Sequence, residues 1–162
     1  MNSPESNHEI HDSHFVLRYC GRSRWESDRN GVPRIKRKAF PDSNSSLSLN
    51  WLEFYELSEL DSLVRICECH THCNITKNGK FMKLQVRDIR LTGEQTRAGF
   101  SVKHTPHRTN RSHASVKPSD KQAAHALYLC ARQYGSFLDV PDFRKIPIRE
   151  RRHCSDNSVE ND

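Results

Sequence analysis

Between His104 and His113 the chain reads HTPHRTNRSH, which holds three of its ten histidines together with Asn110 and Ser112. Imidazole titrates close to working pH, so two rings facing one another can serve as acid and base on a phosphodiester. The flanking segments Phe100 to Thr105 and Ser112 to Lys117 read as strands, which makes the stretch between them a hairpin. If Thr105 and Ser112 close it, His104 and His113 stand opposed, with Cβ atoms about 4.5–5.5 Å apart. Arg108 and Arg111 then hold the phosphate. Asn110 or Ser112 orients a ring or stabilises developing negative charge. A slip of one residue in the register puts the two histidines on opposite faces. In the plainer reading, Asn110 and Ser112 build the loop while the histidines satisfy backbone groups.

A second cluster is Cys67-Glu68-Cys69-His70-Thr71-His72-Cys73, five potential soft-metal ligands in seven residues. Zinc uses such ligands, and Cys69, His72 and Cys73 are the candidate set, because Cys69 and Cys73 share a helix face at i and i+4. The spacing fits a structural zinc site poorly, since such sites draw on two separated ligand pairs and no second pair follows nearby. Cys154 with His153 offers distant ligands. The alternative is one core cysteine, Cys67, followed by a polar helix end. Cys20 and Cys130 sit in apolar contexts that suit ordinary buried thiols rather than nucleophiles. No glycine-rich phosphate loop or dinucleotide fingerprint is present, which argues against a nucleotide-driven enzyme.

The elements that must position these residues read as an α+β set. His14 to Cys20 has core character, and Leu47, Leu49 and Trp51 alternate with Ser48 and Asn50 as in a strand. Ser58 caps a helix to about His70, with Leu60, Leu63, Val64 and Cys67 as its apolar face. After the Asn78-Gly79 turn, Phe81 to Ile89 reads as a strand, and Gly93 and Gly99 bracket a loop. Ser119 caps a second helix that runs to Tyr134 and stops at Gly135. The expected architecture is an antiparallel or mixed sheet of about four or five strands with two helices packed on it. Residues 1–13 and 155–162 read as disordered tails, 14–135 as one domain and 136–154 as an irregular extension.

Hydrophobic residues make up 34 % of the 162 and charged residues 28 %, so part of the chain adds nothing to a core. The net charge of +6 is unevenly spread. Residues 18–38 carry eight basic side chains, Arg18, Arg37 and Lys38 among them, against Glu26 and Asp28. Residues 97–121 carry six, including Arg108 and Arg111, against Asp120. Two such stretches, if they converge, attract phosphate backbones or an acidic protein partner; otherwise they are solvated loops. No apolar run approaches the roughly 20 residues that span a bilayer, and no signal-peptide layout opens the chain. A cytoplasmic protein with reduced thiols is the expectation.

Leu47-Ser48-Leu49-Asn50-Trp51-Leu52-Glu53, preceded by Ala39-Phe40, resembles a strand motif of small bacterial proteins of unknown function. His104-Thr105-Pro106 with Ser112-His113-Ala114 resembles the hairpin of the same proteins. The resemblance spans roughly Phe15 to Tyr134. It implies a bacterial cytoplasmic protein of one compact domain, encoded beside mobile or defence genes, and it brings no assigned activity or catalytic residues.

Together these readings favour a binding or accessory protein that engages nucleic acid or a partner protein through basic surfaces. Two alternatives stand beside it. One is a metal-independent, toxin-like ribonuclease with His104 and His113 as its acid–base pair. The other is an adaptor stabilised by zinc at Cys69, His72 and Cys73.

Overall fold

Apolar side chains at alternate positions give strands with a buried face, and apolar side chains three or four apart give helices that cover it. In the computed structural model, which describes residues 7–40, 45–70 and 74–142, these patterns produce eleven regular elements. In chain order they are β1 (Phe15–Cys20), β2 (Trp25–Ser27), β3 (Pro33–Ile35), β4 (Leu47–Trp51), α1 (Glu59–Cys69) and β5 (Lys80–Gln85). There follow α2 (Val86–Gln95), β6 (Val102–His104), β7 (His113–Val116), α3 (Lys121–Tyr134) and β8 (Ser136–Asp139). Six strands form one antiparallel sheet in the order β6-β7-β4-β1-β5-β8, and β2 pairs with β3 in a separate hairpin.

The two faces of the sheet are covered unequally. On one face Val16, Leu49, Met82, Leu84, Ala114 and Val116 pack against Ile89 of α2 and Leu127 of α3. On the other, Leu17 and Phe81 pack against Leu63, Ile66 and Cys67 of α1. That second core spans β1 and β5. The same face of β4 and β7 carries Ser48, Asn50, His113 and Ser115 instead of apolar side chains.

The α+β architecture agrees with the sequence, and the structure adds a third helix and extra strands. Three expectations are corrected. Strand β5 ends at Gln85, and the chain turns at once into α2, where a strand and then a loop were expected. Gly93 misleads as a loop signal: it is a helical position where a Cβ would run into the Phe100 backbone nitrogen, so glycine admits a close backbone approach. Residues 9 and 10 are part of the fold, because Glu9 bridges Lys103 and Ile10 is buried beside the sheet. Residues 136–139, expected to be irregular, add β8 to the sheet edge beside β5.

Finer differences have local causes. The buried stripe of α1 runs through Ser62, Leu63, Ile66, Cys67 and Cys69, so Leu60 lies on its flank and is 62 % exposed. Asp120 rather than Ser119 caps α3, its carboxylate accepting the Ala123 amide at 2.8 Å. Among the described residues no helix is long and apolar enough to cross a membrane.

Candidate functional site

The hairpin of β6 and β7 pairs Lys103 with Ser115 and His104 with Ala114. The Thr105 amide donates to the His113 carbonyl at 3.0 Å, so Thr105, not His104, stands opposite His113. This register is one residue away from the one that opposes the two histidines. Because side chains alternate across a sheet, His104 and His113 therefore lie on opposite faces. The loop that closes the hairpin sets the slip, since His107 and Asn110 exchange backbone hydrogen bonds and absorb the odd residue there.

His104 belongs to the face covered by α2 and α3. It is 5 % exposed, with ring centroids of His8, Trp51 and Phe54 at 5.2, 5.3 and 5.0 Å. Its Nε2–H donates to the Arg111 carbonyl at 2.7 Å, and Nδ1 is buried without a partner. Burial lowers its pKa, with the Arg111 carbonyl opposing. A neutral ring wedged among aromatics pins the loop from behind.

His113 faces the other way, on the side of the sheet that carries Ser48, Asn50 and Ser115. Its Nδ1–H donates to the Thr105 carbonyl at 2.7 Å, which leaves Nε2 to accept from the Ser48 hydroxyl at 2.7 Å. Its pKa is lowered, chiefly by burial; the Thr105 carbonyl opposes, and His107 adds a smaller downward push. The His107 ring stands edge-on at 4.2 Å between centroids. Ser48 and His107 are exposed, while Lys103, Thr105, Arg111 and Ser115 are half-buried.

Below it runs a buried chain of polar side chains. Ser112 Oγ–H donates to Asn110 Oδ1 at 3.0 Å, and Asn110 Nδ2 donates to Asn50 Oδ1 at 2.8 Å. Asn50 Nδ2 then donates to His70 Nε2 at 2.9 Å. Tyr55 bonds Ser112 as well, and burial raises the pKa of its phenol. Asn50, Asn110 and Ser112 are all buried. Such groups are stable away from water only when paired, so the chain ties β4, the end of α1 and the 105–112 loop into one arrangement.

No protein-family model, curated protein or solved structure matches the chain.

Asn110 and Ser112 therefore hold the loop rather than face a ligand. Arg111 and the exposed Arg108 flank it. Arg18, Arg37 and Lys38 are elsewhere. Arg18 lies on the α3 side of the sheet and donates to the Ala39 and Ser48 carbonyls, both at 2.8 Å. Arg37 donates to the Phe40 carbonyl at 3.2 Å, with its guanidinium 5.9 Å from the Tyr128 ring of α3. Arg18 and Lys103 thus lie on opposite faces of the sheet, while Lys121 opens α3 on the Arg18 side.

For the zinc set, Cys69 is disulfide-bonded, which differs from the reduced thiols expected and removes its sulfur as a thiolate ligand. His72 and Cys73 lie outside the described residues. Among the described residues no group of three histidine, cysteine or acidic side chains is placed to hold a metal ion. Cys20, Cys67 and Cys130 are buried and take part in no disulfide.

Sequence reasoning missed Ser48, Asn50 and Tyr55, and placed His70 only in the cysteine–histidine cluster. A signal existed for the first two: in LSLNW they are the outward positions of a strand, and both are hydrogen-bonding residues. Nothing local marks Tyr55, and Tyr55 and His70 join the site only through the fold.

Proposed function

We propose that the protein binds single-stranded nucleic acid on the open face of β4, β7 and β6. The observation that carries this reading is a partly exposed strip of polar side chains, Ser48, His113 and Ser115, flanked by Lys103, Arg108 and Arg111 and held by the buried Asn50–Asn110–Ser112 chain. An open sheet surface lets unstacked bases lie flat. Imidazole rings such as those of His107 and His113 stack on bases, and hydroxyls such as Ser48 and Ser115 take their edges. The cations take the phosphates, whose neutralisation makes binding fall steeply with salt. An acidic protein partner would use the same cations without the stacking face. A bacterial, cytoplasmic accessory protein, encoded beside mobile or defence genes, is the setting this reading assumes.

The test is fluorescence anisotropy with a labelled single-stranded RNA across a salt series. Replacing Lys103, Arg108 or Arg111 by alanine should lower the salt slope by roughly one for each phosphate no longer neutralised. A binding curve flat in salt, or three variants indistinguishable from the native protein, removes the reading.

A second reading is RNA cleavage without metal, and the close approach of His107 to His113 is what favours it. RNA supplies its own 2′-hydroxyl nucleophile, so the protein need only move protons. On this reading His113 acts with His107, and His104, on the other face, takes no part. Cleavage in excess chelator should then vanish in His113→Ala and persist in His104→Ala. Activity that survives His113→Ala excludes it.

A further inference from the structure

At the far side of the sheet from that face, Trp25 opens β2 beside the Asn78-Gly79 turn that leads into β5. The ring is fixed in place: its Nε1–H donates to the Asn78 carbonyl at 3.2 Å. Two cations lie over it, the Arg22 guanidinium at 4.3 Å and the Lys80 ammonium at 4.9 Å from the ring centroid. These three residues, with Lys77, Asn78 and Gly79, line an open cleft of about 420 Å³. A Cβ at Gly79 would come within 2.5 Å of the Tyr19 ring. The one carboxylate among the described residues that pairs with these cations is Asp139, which meets Lys80 at 2.5 Å and is itself 87 % exposed. Lys77 has no ion pair among the described residues. The cleft therefore keeps a positive excess beside a flat aromatic surface.

We propose that this cleft binds a nucleotide, with the base stacked on the Trp25–Arg22 pair and the phosphate held by Lys77 and Lys80. The size suits it, since small-ligand sites run from about 300 Å³ upward. A guanidinium laid on an indole offers bases a second planar surface, and ammonium groups in the same cleft supply charge-assisted bonds to phosphate oxygens. An apolar or anionic-only ligand would use half of these features. A free mononucleotide and one unit of a strand present the same chemistry. The site shares no residue with the open face of β4 and β7 and does not depend on the reading given to it.

The test follows the Trp25 indole N–H by NMR in the full-length protein, assigned by its loss in Trp25→Phe. Titration with adenosine monophosphate should move that signal at submillimolar ligand, and adenosine or inorganic phosphate alone should bind at least about tenfold more weakly. The double variant Arg22→Ala/Lys77→Ala, both exposed positions, should weaken the monophosphate by a similar factor. A Trp25 signal unmoved by adenosine monophosphate overturns the proposal, as does equal affinity for adenosine or an unchanged affinity in the double variant. A short single-stranded RNA then separates the two sources: tighter binding than the mononucleotide marks a strand site, equal binding a free-nucleotide site. Lys103→Ala should leave the mononucleotide titration unaltered, so failure of either site is visible without the other.

Discussion

Replacing Asn50 by alanine tests whether the buried polar chain holds the candidate site together. In the native protein the Asn50 amide accepts from Asn110 at 2.8 Å and donates to His70 at 2.9 Å. Truncation leaves Asn110 Nδ2 without that acceptor in a site only 8 % exposed, while the half-buried His70 ring can turn to water. An unsatisfied buried group costs about 1–3 kcal/mol and an ordinary hydrogen bond about 1 kcal/mol net, so the loss should be roughly 2–4 kcal/mol. Asn110→Ala should cost a similar amount, because it strands Asn50 Oδ1 and takes one of two partners from the Ser112 hydroxyl, which keeps Tyr55. The double variant removes the donor and the acceptor together, so its cost should fall short of the sum by about 1 kcal/mol or more. Urea unfolding measures this directly: with a slope near 2 kcal/mol per molar, a loss of about 3 kcal/mol moves the midpoint by roughly 1.5 M. Single variants within about 0.5 kcal/mol of the native protein, or a double variant equal to their sum, would falsify the network.

Three further outcomes follow from the same packing. Burial depresses the pKa of both His104 and His113, so the unfolded chain takes up protons first as pH falls. Stability should be full above the ordinary histidine value of about 6.5 and decline below it; urea midpoints at pH 7.5 and 5.5 check the sign, and a gain in acid refutes it. Gly93→Ala should destabilise by more than about 2 kcal/mol although alanine is the better helix former by about 1 kcal/mol. The Phe100 backbone leaves no room for a methyl group, and a raised melting temperature would contradict that. Burial pushes the Cys20 and Cys130 thiols up to about 11. Both should resist a thiol reagent at neutral pH in the folded protein and react at once in urea; rapid labelling of either in the native state would show that its site opens.

The local code was legible where the chain decides structure by short-range pattern. The alternation in Leu47–Trp51, the Ser58 cap and apolar spacing of α1, and the stripe of α3 each specified an element and its type. The α+β class followed from their sum. Where short-range signals conflicted, the sequence misled: Val86 continues the alternation of β5 but opens α2, and Gly93 reads as a loop because its reason for being glycine is Phe100, seven residues on.

The candidate site lay one level higher. Sequence identified the 104–113 hairpin as a place of interest, but not which of its side chains share a face. That depends on register, which a single residue of loop length reverses, and hairpin closure at Thr105 and His113 separated His104 from His113. Nor could spacing show that Arg18 and Arg37 satisfy backbone carbonyls while Lys103 stands on the face opposite Arg18. The polar chain that holds Asn110 runs through β4 and the end of α1, 60 and 40 residues away in sequence. Composition determined that the chain would be basic, and short-range pattern that it would be α+β; only the packing of distant strands decided which polar groups are buried to hold the structure and which are left exposed.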